Sequence, residues 1–239
     1  MVGPLTNQIA VVTGASSGIG KAIALALGAQ GATLCLLGRN VEGLQIPATR
    51  SATFAVDLTE EHQIRDVANE LRKEFGGVDI VVHSAGVFVR ERVDAASPAD
   101  FDRQYRVNVR APYVLTQALL PSLRQRCGQI VFINSSVARH TPRALISQYA
   151  ATKAALKAMA DSLREEVNPD GVRVLSIFVG RTATPMQAAL HEAEGKEYRP
   201  ERLLQPEDIA STIVHALCMP RTAEITEVDI RPMQKPRIA

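Results

Sequence analysis

Apolar positions along the chain gather into short runs separated by longer stretches with helical spacing. Ile9 to Thr13, Thr33 to Leu37, Ala52 to Val56, Ile80 to Val82, Gln129 to Ile133 and Arg173 to Phe178 are apolar, β-branched runs of strand length. Between them lie helical stretches at Lys21 to Gln30, Glu60 to Phe75, within Val93 to Arg126, and from Ser147 or Gln148 through Asn168. A helix over Pro206 to Met219 and a last strand over Glu224 to Ile230 complete the pattern. Ser97 before Pro98 supplies an N-cap followed by proline at the first helical position. The stretch from Val41 to Arg50 breaks the rhythm, because Gly43 and Pro47 interrupt it too soon for a full crossover helix.

Length and composition narrow the class. With 239 residues, 46% of them hydrophobic, and no Pro/Gly/Ser linker or charge block, residues 1–239 fit one domain with an ample core. A formal net charge of +2 gives no argument for nucleic acid or membrane partners. Cys35, Cys127 and Cys218 lie far apart without metal-ligand spacing, which fits a reducing, cytoplasmic setting and no metal. Met1 to Gln8 lacks the pattern of a signal peptide, and no run approaches the ~18 apolar residues of a membrane span.

Candidate chemistry begins where the first strand ends. Thr13-Gly14-Ala15-Ser16-Ser17-Gly18-Ile19-Gly20 joins a strand to a helix, the context of a phosphate-binding loop. Glycines there permit a tight turn and close backbone approach, and the helix N-terminus offers unpaired N–H groups. After the second strand Gly38 fills the slot in which an acidic residue would select a ribose hydroxyl, and Arg39 follows. A guanidinium there suits a 2′-phosphate, so NADPH is expected over NADH. Far downstream, Tyr149 and Lys153 stand four residues apart, which puts a phenol and an amine on one helical face.

The spacing T-G-x-x-x-G-x-G, followed by Y-A-A-T-K, resembles the short-chain dehydrogenase/reductase family, with matching signals from Ile9 to Arg231. The resemblance implies a doubly wound α/β fold with a mostly parallel seven-stranded sheet and helices on both faces. It implies a cofactor site of NADPH or NADP⁺ formed by Gly14, Ser16, Ser17, Gly18, Ile19, Gly20 and Arg39, with Asp57 and Leu58 at the adenine. Ser84, Ala85 and Gly86 would meet the nicotinamide ribose, and Gly180, Thr182 and Thr184 the carboxamide side. Two departures stand out: His83 replaces an asparagine that braces the sheet, and Val179 replaces a proline, which suggests a looser turn.

By the same resemblance Tyr149 would protonate an alkoxide formed by hydride transfer, and Lys153 would lower the phenol pKa and hold the ribose. Asn108 would position a water for proton resupply. Ser136, thirteen residues before Tyr149, would polarise the carbonyl in preference to Ser135. The implied activity is NADPH-dependent reduction of a ketone or 3-oxoacyl carbonyl. Rival readings are a regulatory or scaffold protein that binds nicotinamide without turnover, an NADP-linked alcohol dehydrogenase working oxidatively, and a sugar-nucleotide epimerase or dehydratase. Arg139, His140 and Arg143 between the serine and the tyrosine, with Arg90 and Arg92, would attract an anionic or carrier-tethered substrate. Residues 187–204 form a candidate lid, and the alanine-rich helix carrying Tyr149 is compatible with a homo-dimer or homo-tetramer.

Overall fold

The computed structural model describes residues 3–40, 44, 46, 50–139 and 143–234. Most of the stretch from Val41 to Arg50 and residue His140 therefore lie outside the described residues. In chain order the elements are β1 (Ile9–Thr13), α1 (Gly18–Ala29), β2 (Thr33–Gly38), β3 (Ser51–Ala55), α2 (Glu61–Phe75) and β4 (Ile80–His83). They continue with α3 (Pro98–Tyr105), a π-helical turn (Arg106–Arg110), α4 (Ala111–Gln125), β5 (Gln129–Ser135), α5 (Ser147–Val167) and β6 (Arg173–Val179). The last are α6 (Pro185–Ala193), α7 (Pro206–Leu217) and β7 (Glu227–Ile230).

Seven strands pair in the order β3-β2-β1-β4-β5-β6-β7, every pair parallel. Because a strand's side chains alternate in direction, each strand divides its apolar residues between two cores. Ala10 and Val12 of β1, with Leu34 and Leu36 of β2, pack against α1 and α7. Val11, Cys35 and Leu37 point the other way, toward α2, α4 and α5. That two-sided burial explains why the strands read as continuous apolar runs rather than alternating ones. The chain builds outward from β1 to β3, then returns to place β4 on the other side of β1. This reversal opens a crevice at the carboxyl ends of β1 and β4, where open α/β sheets bind ligands.

Several boundaries moved for identifiable reasons. The single long helix expected after Ser97 is α3 and α4 joined through the π turn, which the Ala111 N–H closes by donating to the Arg106 carbonyl. The widened turn carries Asn108. β7 starts at Glu227 rather than Glu224, because the Glu224 carboxylate accepts the Val174 N–H at 2.8 Å in place of a backbone ladder bond. β5 runs two residues further than its apolar run, to Ser135.

His83 closes β4 as a buried, structural group. Its Nε2 lies 2.8 Å from Thr116 Oγ1 of α4, and its ring stacks on Phe132 of β5 with centroids 4.9 Å apart. The bracing position is thus filled by an imidazole linking sheet to helix, and burial pushes its pKa down to about 3. An unfolded histidine takes up a proton near pH 6.5, so between these values the unfolded chain binds the extra proton. The histidine's contribution to stability is present above pH 6.5 and is lost as the pH falls toward 3, at up to about 1.4 kcal/mol per pH unit. Urea denaturation at neutral and mildly acidic pH should show that His83→Asn loses less stability on acidification than wild type. Parallel pH dependences would contradict this assignment.

Candidate active site

The crevice is assembled by backbone contacts that leave no room for side chains. Thr13 ends β1, and its Oγ1 accepts the N–H groups of Ser84 and Ala85 at 3.0 and 3.1 Å. Gly14, at φ +69°, lies so close to the Ala85 backbone that a Cβ would stand 2.9 Å from it. A Cβ on Gly20 would stand 2.3 Å from the Gly14 carbonyl oxygen, and one on Gly18 would meet Thr184 Cγ2 at 3.0 Å. The loops at 14–20, 84–86 and 180–184 therefore converge on one cradle. Ser17 is the extended N-cap of α1, Ser16 is exposed, and Ile19 turns inward onto the core. What the cradle offers is a helix N-terminus with free N–H groups beside bare backbone, suited to phosphate oxygens.

Along the crevice toward β3, Arg39 is exposed just past β2. Asp57 follows β3, and its carboxyl is held below the usual carboxylate range. The main cause is the Thr59 N–H, which donates at 2.9 Å; the Thr59 hydroxyl, Arg39 and Arg103 add to it against the opposing effect of burial. Leu58 packs against the adjoining core. Arg39, Asp57 and Leu58 thus occupy one end of the crevice.

At the other end, Asn108 is buried and uses its amide fully. Its Oδ1 accepts the Val87 N–H at 2.8 Å, and its Nδ2 donates to the Val87 carbonyl at 2.9 Å and the Thr152 hydroxyl at 3.1 Å. The Thr152 hydroxyl in turn donates to the Tyr149 carbonyl. The asparagine side chain therefore locks the segment after β4 to α5; both amide protons are committed to protein, which leaves its side chain no donor for a water.

Lys153 lies one helical turn beyond Tyr149, and its Nζ sits 5.8 Å from the phenol ring centroid. It is 5% exposed and donates to the Ile133 carbonyl at 2.9 Å. Burial pulls its pKa down to about 8. Tyr149 moves the opposite way: burial raises its pKa to about 12 and outweighs a hydrogen bond that would lower it. The sequence suggested that the neighbouring ammonium would draw the phenol pKa down. Here desolvation dominates, and the phenol is a protonated acid at neutral pH.

The Ser135 hydroxyl lies near enough to the Tyr149 phenol to oppose the rise in its pKa, and it accepts the Val137 N–H at 3.4 Å. Counting thirteen residues back from Tyr149 selects Ser136, the residue that directly follows β5. β5 ends at Ser135, which is buried, and the half-buried Ser136 opens the 3₁₀ turn Ser136–Ala138, which packs against α5. Phe88, which the motif pattern did not single out, packs edge-on against Tyr149 with ring centroids 4.7 Å apart. Its only signal in the sequence is its position two residues past Gly86.

The loop after β6 is firmer than its missing proline suggested. Gly180 N–H donates to Ile230 O at 2.8 Å, and Thr182 bridges to Leu204 while its hydroxyl donates to the Gly180 carbonyl at 3.1 Å. Thr184 caps α6, accepting the Gln187 N–H at 3.2 Å. The expected cationic rim is largely spoken for. Arg139 pairs with Glu227 and Asp229 of β7 and lies over the Phe178 ring, Arg92 pairs with Asp94 at 3.0 Å, and Arg90 lies 3.7 Å from Glu194. Arg143 is exposed. Among the described residues no group of three His, Cys, Asp or Glu side chains could hold a metal, and no helix is long and apolar enough to cross a membrane.

Comparison with known proteins agrees with this geometry. A family model described as short chain dehydrogenase matches residues 8–195. An uncharacterized oxidoreductase of Staphylococcus epidermidis is 37% identical over 232 residues, covering 95% of this chain and 98% of the relative. Among solved structures, an alcohol dehydrogenase from the archaeon Thermococcus sibiricus complexed with 5-hydroxy-NADP superposes with a TM-score of 0.85. It is 28% identical, and the match covers 96% of this chain and 99% of that one. The L-sorbose reductase of Gluconobacter frateurii, complexed with NADPH and L-sorbose, matches with a TM-score of 0.84 at 27% identity, covering 96% of this chain and 97% of that one. A glycine cradle at the sheet's switch point, a Tyr149–Lys153 pair on the next wall and relatives spanning the whole fold place this chain in the short-chain dehydrogenase family of oxidoreductases.

Proposed function

We propose that this oxidoreductase uses NADPH to reduce a ketone-type carbonyl to an alcohol, with Tyr149 as the proton donor. The observation that carries the reading is the desolvated Tyr149 phenol, its pKa raised to about 12, beside the buried amine of Lys153. A phenol that stays protonated at neutral pH is an acid awaiting a strong base, and a forming alkoxide is such a base. The residues present fit a nicotinamide dinucleotide: the cradle of Gly14, Gly18 and Gly20 would lose its concavity to any side chain, and NADP-bound relatives of the same fold support the phosphorylated form. When bound, that cofactor supplies the hydride.

The remaining work falls to this chain's side chains. The Ser136 hydroxyl, in the turn that packs against α5, donates to the carbonyl oxygen and stabilises the charge that grows on it. Tyr149 gives its proton to that oxygen. Lys153, a cation below pH about 8, favours the phenolate left behind and binds ribose hydroxyls. Asn108 keeps α5 in register with the segment after β4. At the far end Arg39 would hold the 2′-phosphate, and Asp57 and Leu58 would border the adenine.

Steady-state kinetics with a panel of ketones and binding by NADPH fluorescence test these roles. Tyr149→Phe should lower kcat by at least about a hundredfold with NADPH affinity within a few-fold of wild type; retained turnover would refute the proton-donor assignment. Ser136→Ala should cost about a hundredfold in kcat and Ser135→Ala much less, whereas the reverse order would move the role to the serine that ends β5. Removing the charge-assisted contacts of Arg39 by Arg39→Ala should weaken NADPH binding about tenfold or more and leave NADH binding nearly unchanged. Equal effects on the two cofactors would rule out 2′-phosphate recognition.

A further inference from the structure

The segment after β4 spans two walls of the site. On one side it is stitched down at every second residue. The Val87 N–H donates to Asn108 Oδ1 at 2.8 Å, the Val89 N–H to Gln104 Oε1 at 3.1 Å, and the Glu91 N–H to the Leu145 carbonyl at 2.9 Å. The two intervening side chains reach elsewhere: Phe88 onto the Tyr149 ring and Arg90 to Glu194, at the C-cap of α6. The opposite wall is α6 itself, which begins at Thr184 against the Gly18 turn.

Glu194 lies where the walls meet, its side chain only 9% exposed. Its two oxygens each accept from Arg181 Nη2 at 3.1 Å, Arg90 Nε lies at 3.7 Å, and Lys196 Nζ at 3.2 Å. Burial opposes ionisation, yet Lys196 and Arg181 together hold the carboxyl below the usual range. Arg181 is fixed in turn. Its Nη1 lies 3.5 Å from His191 Nε2, and His191 Nδ1 donates to the Gln187 carbonyl at 2.8 Å. The clamp is therefore lopsided, close on the Arg181 side and looser on the Arg90 side. An exposed ion pair would contribute little, but in this half-buried setting removal of the carboxylate leaves two guanidinium groups facing each other without a counter-ion.

We propose that Glu194 is a specificity-determining positioning residue: by binding Arg181 and Arg90 together it sets the gap between the 86–91 segment and α6, and so the size of carbonyl substrate that reaches Tyr149. The proposal rests on the carbonyl-reductase reading above for its kinetic consequence, but its mechanical part stands apart from turnover.

The test compares wild type with Glu194→Gln, which keeps the shape and removes the charge, and with Arg90→Gln, which breaks only the looser contact. Two readouts are taken: the ratio of kcat/KM for a bulky aryl ketone to that for a small dialkyl ketone, and amide hydrogen exchange across residues 86–91. In both variants the ratio should rise at least fivefold and exchange in the segment should quicken at least tenfold, with NADPH affinity within twofold of wild type. Lys196→Ala, which removes a cation belonging to neither wall, should leave both readouts unchanged. Either readout staying at its wild-type value in both variants overturns the proposal, as does an equal response to Lys196→Ala. If wild type reduces neither ketone, the reductase reading fails, and the exchange measurement alone then decides the clamp.

Discussion

The rest of the site depends on the burial of one ammonium group. Lys153 is held at 5% exposure with the Ile133 carbonyl as its partner at 2.9 Å, and desolvation brings its pKa to about 8. A charge buried with so little compensation is costly, and it persists because the surroundings hold α5 against the end of β5. Leu156 and Ala160 pack that helix into the core, and Asn108 ties its second turn, at Thr152, to the segment after β4. The same desolvation acts on Tyr149 and drives its pKa upward. One apolar environment thus drives the phenol and the ammonium apart in proton affinity, from ordinary values of 10.0 and 10.5 to about 12 and about 8, and so keeps the proton on the phenol.

The fold was legible because its signals are redundant. Two-sided strands read as continuous apolar runs, and each run is followed by helical spacing, so the parallel sheet followed from Ile9 to Thr13 and its counterparts. The glycine cradle was legible for the same reason: only backbone fits where Gly14 meets Ala85 and Gly20 meets Gly14. The end of β5 was not, because an interval in residues does not measure where a strand stops. β5 continues to Ser135, and that end point depends on pairing with β6 up to Val179, a tertiary contact that no local pattern encodes.

Charges were the least legible feature. Arg90, Arg92 and Arg139 looked like a rim that would draw in anions, but each faces a carboxylate, and those of Arg90 and Arg139 come from distant elements, Glu194 beyond α6 and Glu227 and Asp229 of β7. Sequence shows where an arginine is, not which acid the fold folds back upon it. His83 and Val179 teach a related lesson. The first satisfies its ring through Thr116 and Phe132, and the second is followed by a turn secured by Ile230 and Leu204, so each position is served by partners from other elements.

The central claim is that proton delivery depends on a phenol kept neutral by burial and assisted by Lys153 in its charged form. It is tested most directly by the pH dependence of kcat/KM for carbonyl reduction, compared between wild type and Lys153→Met. Because Lys153 is charged below its pKa of about 8 and neutral above it, the wild-type rate should be level near neutral pH and fall as the pH rises through about 8, and that limb should be missing from the residual activity of the variant. A wild-type profile that stays level far into the alkaline range, or the same limb persisting in Lys153→Met, would contradict the account.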